Sequence, residues 1–425
     1  MKSSQYTYYY VKNGFFYIFH QISNALLEVE EDLYRALKEN HVTVIPQDIQ
    51  DALTAKGFLV EDDVREVDAI NYANIVGRYQ SKILRATIMP TMACNFSCWY
   101  CYENHHASRM TEEARDAVAR FIKKEVEEKN LQTVMLDWFG GEPLLCFDNI
   151  IEPLAHEIQK WCEEKDINFI HAITTNGALI TPEMAERMES LRLHQFQITL
   201  DGGPEFHNKT RFSATMPDSF SVIIKNIHTL CRTLTNPDVT VRINYTVENF
   251  DSIIDILDCF EEDIRQYLEI FPHVVWQEAH LIQDAYQKVN DVKKKAVKMG
   301  YRINEGIASC RNCATCYTES MEQYLINYDL AVYKCTARDF DGKNSVGYIN
   351  PDGSFVPNHR FYTFYATPSP IFHPSCQVCP LLPSCMDALN CLQKKVEGVC
   401  HACDKESIER ALCDKLQRMI VNTMA

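Results

Sequence analysis

The sequence predicts an α/β chain. A parallel-sheet core spans residues 86–300, a small winged-helix-like module spans 1–85, and a cysteine-rich region spans 301–425. Three observations carry this reading. Short β-rich runs recur through 86–300, most of them followed by a helix-like segment. An Asn-Gly pair separates two aromatic-rich runs near the start. Eleven of the 18 cysteines fall after residue 300.

The N-terminal segment YTYYYVKNGFFYIF reads as a hairpin around Lys12-Asn13-Gly14, because Asn-Gly supplies the positive φ of a tight turn. NALLEVEEDLYRALKE has apolar residues at helical spacing, and IPQDIQDALTAKGFLV reads as a second helix ending at Gly57 before a short strand. In the core, ILRATIMP, VMLDWFGGE, FIHAITTNG, HQFQITLDG and VTVRINYTV are strand-like. TEEARDAVARFIKKEVEEKN is one of the helical segments between them. Repeated βα units imply a parallel sheet with helices outside. The polar and Gly-rich turns after these strands place a site at the sheet's C-terminal edge. Beyond residue 300 helical periodicity fades, and NPDGS and HPSCQVCPLLPSC read as loops folded around metal. KESIERALCDKLQRMIV returns to helix.

Composition excludes several function classes. A net charge of −16 argues against nucleic acid, which needs a basic footprint. No run of about 18 apolar residues marks a membrane span, and MKSSQYTYYYVKNG has no apolar signal core. The expected location is cytoplasmic. Thiols stay reduced there, so the cysteines read as metal ligands and not as disulfides.

Cys94-Asn-Phe-Ser-Cys98-Trp-Tyr-Cys101 follows the first core strand. Three cysteines on one loop can ligate three irons of a cubane and leave the fourth open. An electron-transferring cluster would use four cysteines, so an open iron beside a sheet edge is catalytic. Buried thiols or a zinc half-site fit the same spacing in isolation; the segments at the following strand ends weigh against them. Phe139-Gly140-Gly141-Glu142-Pro143 ends the next strand. Its glycines allow close backbone approach to a ligand, and Glu142 can accept from an ammonium. Thr174-Thr175-Asn176-Gly177 and Gln197-Ile-Thr199-Leu-Asp201-Gly202 end two more strands. Arg242 and Asn244 share one face of VRINYTV.

These segments resemble the radical S-adenosylmethionine (SAM) superfamily, whose members carry this triad after the first barrel strand, with an aromatic residue where Tyr100 stands. The resemblance implies a partial (β/α)6 barrel. Its catalytic [4Fe–4S] cluster would sit on Cys94, Cys98 and Cys101, chelate SAM and cleave it to a 5′-deoxyadenosyl radical. It also implies SAM contacts at Tyr100, Gly140, Gly141, Glu142, Asn176, Thr199, Arg211 and Arg242, and an electron donor such as flavodoxin or ferredoxin. No residue is assigned as the catalytic base.

The C-terminal cysteines resemble the SPASM domain, which carries two auxiliary [4Fe–4S] clusters. The first would take Cys310, Cys316, Cys335 and Cys391. The second would take Cys376, Cys379, Cys385 and either Cys400 or Cys403. The sequence departs from that pattern with five residues between Cys385 and Cys391, with Leu330 where a glycine is usual, and with an extra Cys313. Zinc is the rival reading of this region. The N-terminal module is similar to leader-recognition modules of peptide maturases, which add an extended leader to a strand edge. The implied function is modification of a ribosomally made precursor peptide, leader and core, by a thioether or carbon–carbon crosslink. One alternative is formylglycine formation as in sulfatase maturases, which carry Asp where Thr336 stands here. The other is a non-catalytic zinc-rich scaffold.

Overall fold

In the computed structural model the described residues are 1–281, 285–304, 316–336, 340, 342–385 and 405–424. The chain divides into two compact units. One joins Met1–Ser81 with Gly306–Met321 and Ala366–Ala425, and the other joins Lys82–Glu305 with Glu322–Tyr365.

The first unit contains β1 (Lys2–Ser3), β2 (Thr7–Lys12), β3 (Phe15–His20), β4 (Ala25–Val29) and β5 (Leu59–Val60). Asn13 and Gly14 adopt φ of 52° and 82°, the pair of positive angles that lets two residues close a hairpin with the right strand twist. Lys12 therefore pairs with Phe15 and Tyr10 with Tyr17. β4 pairs antiparallel with β3, Phe16 opposite Val29, and β1 pairs with β5.

β4 corrects the helical reading of NALLEVEEDLYRALKE. The helix begins only at Glu31 and ends at Lys38. Asn24 turns the chain with φ 62°. Ala25, Leu27 and Val29 then pack against the cluster of Ile18, Leu37 and Leu53. Leu26 packs against Phe19, Leu412 and Leu416. The period is two, but apolar neighbours on both faces hide the alternation. Leu412 and Leu416 lie on the helix Lys405–Met424, where the sequence predicts one.

His20 makes this unit acid-labile. It is 5% exposed, its Nδ1 meets Ser23 Oγ at 2.8 Å, and burial holds its pKa down to about 4. The unfolded chain binds the proton first, so the contribution is complete above the ordinary histidine pKa and is lost as pH falls towards 4. It amounts to about 3 kcal/mol. Unfolding measured from pH 7 to pH 4.5 should show a steeper loss for the wild type than for His20→Gln; equal slopes would remove histidine burial as the cause.

The second unit contains β6 (Ile83–Met89), β7 (Ser97–Cys98), β8 (Thr133–Trp138), β9 (Asn168–Thr175), β10 (Gln195–Leu200), β11 (Arg211–Phe212), β12 (Asp238–Tyr245), β13 (Leu268–Val274) and β14 (Arg302–Ile303). β15 (Gln323–Asn327), β16 (Ala331–Tyr333), β17 (Gly347–Ile349) and β18 (Phe355–Pro357) complete it. The main sheet runs β14-β13-β12-β10-β9-β8-β6-β15-β16-β17-β18. From β6 to β13 the six strands are parallel and lie in chain order, an open (β/α)6 half-barrel. Helices fill the crossovers where their capping chemistry allows. Thr111 accepts from Ala114 N, Glu112 and Glu113 occupy the first turn, and Asn130 closes the helix Glu112–Lys129 in the left-handed conformation. Ala117, Val118, Phe121, Ile122 and Val126 form its buried face.

Two features of this sheet were not read from the sequence. β13 carries Pro272, a residue that argues against a central strand; beyond Ile270 it has no outer strand partner among the described residues. After residue 321 the chain re-enters the core. β15, buried at every position, lies parallel beside β6, and β16–β18 extend the sheet antiparallel. Leu330 closes the β15–β16 turn at φ 67°. That is the conformation a glycine takes without steric cost, which explains why a glycine is usual there.

Candidate active site

The C-terminal ends of β6, β8, β9, β10 and β12 converge on one cavity of about 190 Å³. Its wall includes the three triad cysteines, Tyr100, Gly140, Gly141, Asn176, Thr199, Arg211, Arg242 and Asn244. Of the predicted SAM contacts, only Glu142 is missing from that wall.

The site is built from three interlocked loops. The cysteine loop is held at one end by β7, which pairs with β11 so that Cys98 lies opposite Arg211. At the other end Gly141 N donates to Thr91 O at 3.1 Å and Glu142 N to Ala93 O at 2.8 Å. A Cβ on Gly141 would stand 2.3 Å from Ala93 O, and one on Gly140 would stand 2.4 Å from Thr91 O. These glycines therefore admit the backbone that leads into Cys94, a closer constraint than ligand approach.

Glu142 ties the second loop to the third. It is fully buried. One carboxylate oxygen accepts from Leu144 N at 3.0 Å and Thr175 Oγ1 at 2.7 Å, the other from Asn176 N at 2.8 Å. Burial raises its pKa, opposed by the Asn176 amide, the Thr175 hydroxyl and the Leu144 amide. Asn176 Nδ2 in turn donates to Asn95 Oδ1 at 2.7 Å.

Tyr100 is the polar hub. Its hydroxyl donates to Asp201 Oδ1 at 2.9 Å and accepts from Arg211 Nη1 at 2.9 Å and Asn244 Nδ2 at 3.1 Å. Asp201 is 1% exposed and faces Tyr100. Burial pushes its carboxyl up to about 6 against the pull of Arg211. Tyr100→Phe should cost about 1–3 kcal/mol, because Asp201 Oδ2 already has no partner. Denaturant unfolding of the variant checks this; an unchanged midpoint would mean the hub is dispensable. Arg242 Nε donates to Asn244 Oδ1 at 3.0 Å, and its Nη2 lies 2.9 Å from His273 Nδ1.

Burial pushes the Cys94 thiol up to about 12, Cys101 to about 11, and raises Cys98 as well. Three buried thiols sharing one cavity need cationic compensation to exist as thiolates. Bound iron supplies it, so these residues fit a cluster. SAM would fill the rest of the cavity.

Several wall residues were missed from sequence: Tyr102, Glu103, Val274, Val275 and Trp276. Val274 ends β13, the strand that Pro272 disguised, and Val275 and Trp276 follow it. His105 also lines the cavity, with Nε2 3.5 Å from Cys101 Sγ, whereas His106 Nε2 meets Tyr328 OH at 3.1 Å. Glu103 is 8% exposed, and burial raises its carboxyl to about 7.

The auxiliary-cluster cysteines are partly described. Cys310, Cys313, Cys391, Cys400 and Cys403 lie outside the described residues. Cys316 belongs to the first unit and Cys335 to the second. Cys376, Cys379 and Cys385 all pack around Tyr6, Ile371 and Leu382 in the first unit.

The radical SAM cyclopropyl synthase TigE of Paramaledivibacter caminithermalis is 22% identical over 467 aligned positions, 95% of this chain and 91% of that protein. The solved structure of native anSMEcpe with bound AdoMet and Cp18Cys peptide superposes with a TM-score of 0.58 at 17% identity, over 80% of this chain and 99% of that one. Streptococcus suis SuiB bound to S-adenosylmethionine superposes with a TM-score of 0.51 at 17% identity, over 91% of this chain and 94% of that one. Residues 88–260, from β6 past β12 with the triad inside, match the radical SAM superfamily, and this chain carries a radical SAM domain.

Proposed function

We propose that this radical SAM enzyme modifies a ribosomally made precursor peptide by hydrogen abstraction, forming a thioether or carbon–carbon crosslink. The observation that carries the reading is the single cavity in which Cys94, Cys98 and Cys101 share a wall with Gly140, Gly141, Asn176, Thr199, Arg211 and Arg242. The triad would hold the [4Fe–4S] cluster. When bound, that cluster supplies the electron that cleaves the SAM sulfonium to a 5′-deoxyadenosyl radical. Asn176, Thr199 and Arg242 would orient SAM. Glu142 would act from behind the wall, holding Thr175 and Asn176 in place.

The breadth of the likeness to the radical SAM cyclopropyl synthase TigE, nearly the whole of both chains, supports radical SAM chemistry. A peptide substrate is supported by the peptide bound to anSMEcpe. The three-stranded sheet of the first unit leaves strand edges to which an extended leader could add. Cys310, Cys316, Cys335 and Cys391 would hold one auxiliary cluster. Cys376, Cys379, Cys385 and Cys400 or Cys403 would hold the other, and one of these clusters would accept the electron left after hydrogen abstraction as the crosslink closes with loss of a proton. A flavodoxin or ferredoxin would deliver the electron in the cytoplasm. Among the described residues no helix is long and apolar enough to cross a membrane.

The test is anaerobic reconstitution with any small peptide found encoded beside this gene. The expected result is about twelve irons per chain, 5′-deoxyadenosine, and a peptide two mass units lighter per crosslink, about 2 Da. About four irons with bound zinc would overturn the auxiliary clusters. 5′-Deoxyadenosine without any change in the peptide would overturn the substrate.

A further inference from the structure

The cavity wall holds one carboxylate that the fold does not use. Glu142 is saturated by three donors from the protein. The two arginines of the wall are engaged elsewhere, Arg211 with Tyr100 and Arg242 with Asn244 and His273. Glu103 differs from all of these. It lines the same cavity, it is 8% exposed, and its Oε1 has no hydrogen-bond partner. It stands two residues after Cys101, which keeps it beside the triad.

An unmatched buried carboxylate oxygen is a standing cost to the fold. Such a group is retained where a ligand completes it. The surroundings define the ligand's chemistry. Tyr102 and Trp276 line the cavity with Glu103, and aromatic faces beside a carboxylate favour a cation over a neutral group.

We propose that Glu103 is the acceptor for an amine or ammonium N–H group inside this cavity, supplied by the α-amino group of SAM or by a lysine side chain of the substrate. This rests on the reading of the cavity as the SAM site. It assigns to Glu103 the amine-binding task that the sequence pattern assigns to Glu142.

The experiment uses the anaerobically reconstituted full chain as wild type, Glu103→Gln and Glu103→Leu. Each is titrated with SAM and with its analogue lacking the α-amino group, read by the electron paramagnetic resonance of the reduced cluster. With SAM saturating, each is then titrated calorimetrically with Nα-acetyl-lysine amide and its neutral counterpart Nα-acetyl-norleucine amide. The expected result is a loss of about tenfold or more in affinity for one amine in both variants, with its neutral counterpart unchanged. Loss confined to SAM identifies the α-amino group; loss confined to the lysine amide identifies the substrate. Glu103→Leu should melt no lower than the wild type without ligand, since it removes an unmatched polar group. A lower melting point, with amine and neutral ligands weakened alike, would make Glu103 structural and overturn the proposal. Both amines binding the variants as tightly as wild type would overturn it too. Should Glu103→Gln and Glu103→Leu fail to load iron, Glu103→Asp keeps the charge and must still weaken the same amine selectively. A wild type that binds no SAM would instead bring down the cavity reading, and the proposal with it.

Discussion

Replacing Cys94, Cys98 and Cys101 together by Ala is expected to abolish 5′-deoxyadenosine formation from SAM. About four irons per chain should be lost while the remainder stay bound. The geometry makes the effect total and not graded. All three thiols face one cavity, and no other described cysteine lines it. The other ligand-type side chains of the wall, Glu103 and His105, are too few to replace three thiolates of a cubane. The fold should survive, because the loop is also held by the pairing of Cys98 with Arg211 through the backbone and by Phe96, buried in the main core. Iron analysis, product chromatography and circular dichroism on the same preparation separate these effects. Residual SAM cleavage by the triple variant would refute the assignment of the catalytic cluster.

Gly141→Ala is expected to disable the same site without touching a ligand. The added methyl would stand 2.3 Å from Ala93 O, 2.6 Å from Ala93 C and 2.6 Å from Met92 O. All three are backbone atoms, so no rotamer change relieves the clash. The chain entering Cys94 must move, and with it the hydrogen bonds from Gly141 N to Thr91 O and from Glu142 N to Ala93 O. Overpacking of this kind costs about 1–3 kcal/mol in stability. The larger effect is on the cluster, since shifting one thiol position by a fraction of an ångström impairs a rigid cubane. Gly203→Ala is the control, because a Cβ there meets nothing within 4 Å. Thermal melting and iron content should fall for Gly141→Ala and stay at wild-type values for Gly203→Ala. Equal behaviour of the two would mean that the loops do not constrain each other as described.

Legibility varied with how local the signal is. The Asn13-Gly14 hairpin and the capped helix Glu112–Lys129 depend on neighbours in sequence, and both lie where the sequence places them. β4 was misread because its two faces pack on different clusters. β13 was missed because Pro272 is tolerated only where the outer edge lacks a strand partner. Neither condition is visible before the chain is folded. The candidate site divides in the same way. Its motifs recur at strand ends, so the loops that build it could be named. Which side chains turn inward could not: Glu103 lines the cavity and Glu142 does not.

The sequence by itself determined the chemistry available here: three cysteines on one loop after a strand, Gly-rich and amide-bearing turns at the ends of the next strands, and a second concentration of thiols towards the C-terminus. Spacing along the chain suffices for that, since ligands on one short loop are neighbours in any fold. Tertiary structure alone decided that Tyr100, Asp201, Arg211 and Asn244 form one network from four separate segments. It also decided that Glu142 is spent on the protein's own amides while Glu103 keeps an oxygen unmatched. Those outcomes depend on which donors a buried carboxylate meets. That is set by the packing of residues up to 144 positions apart, and no local pattern encodes it.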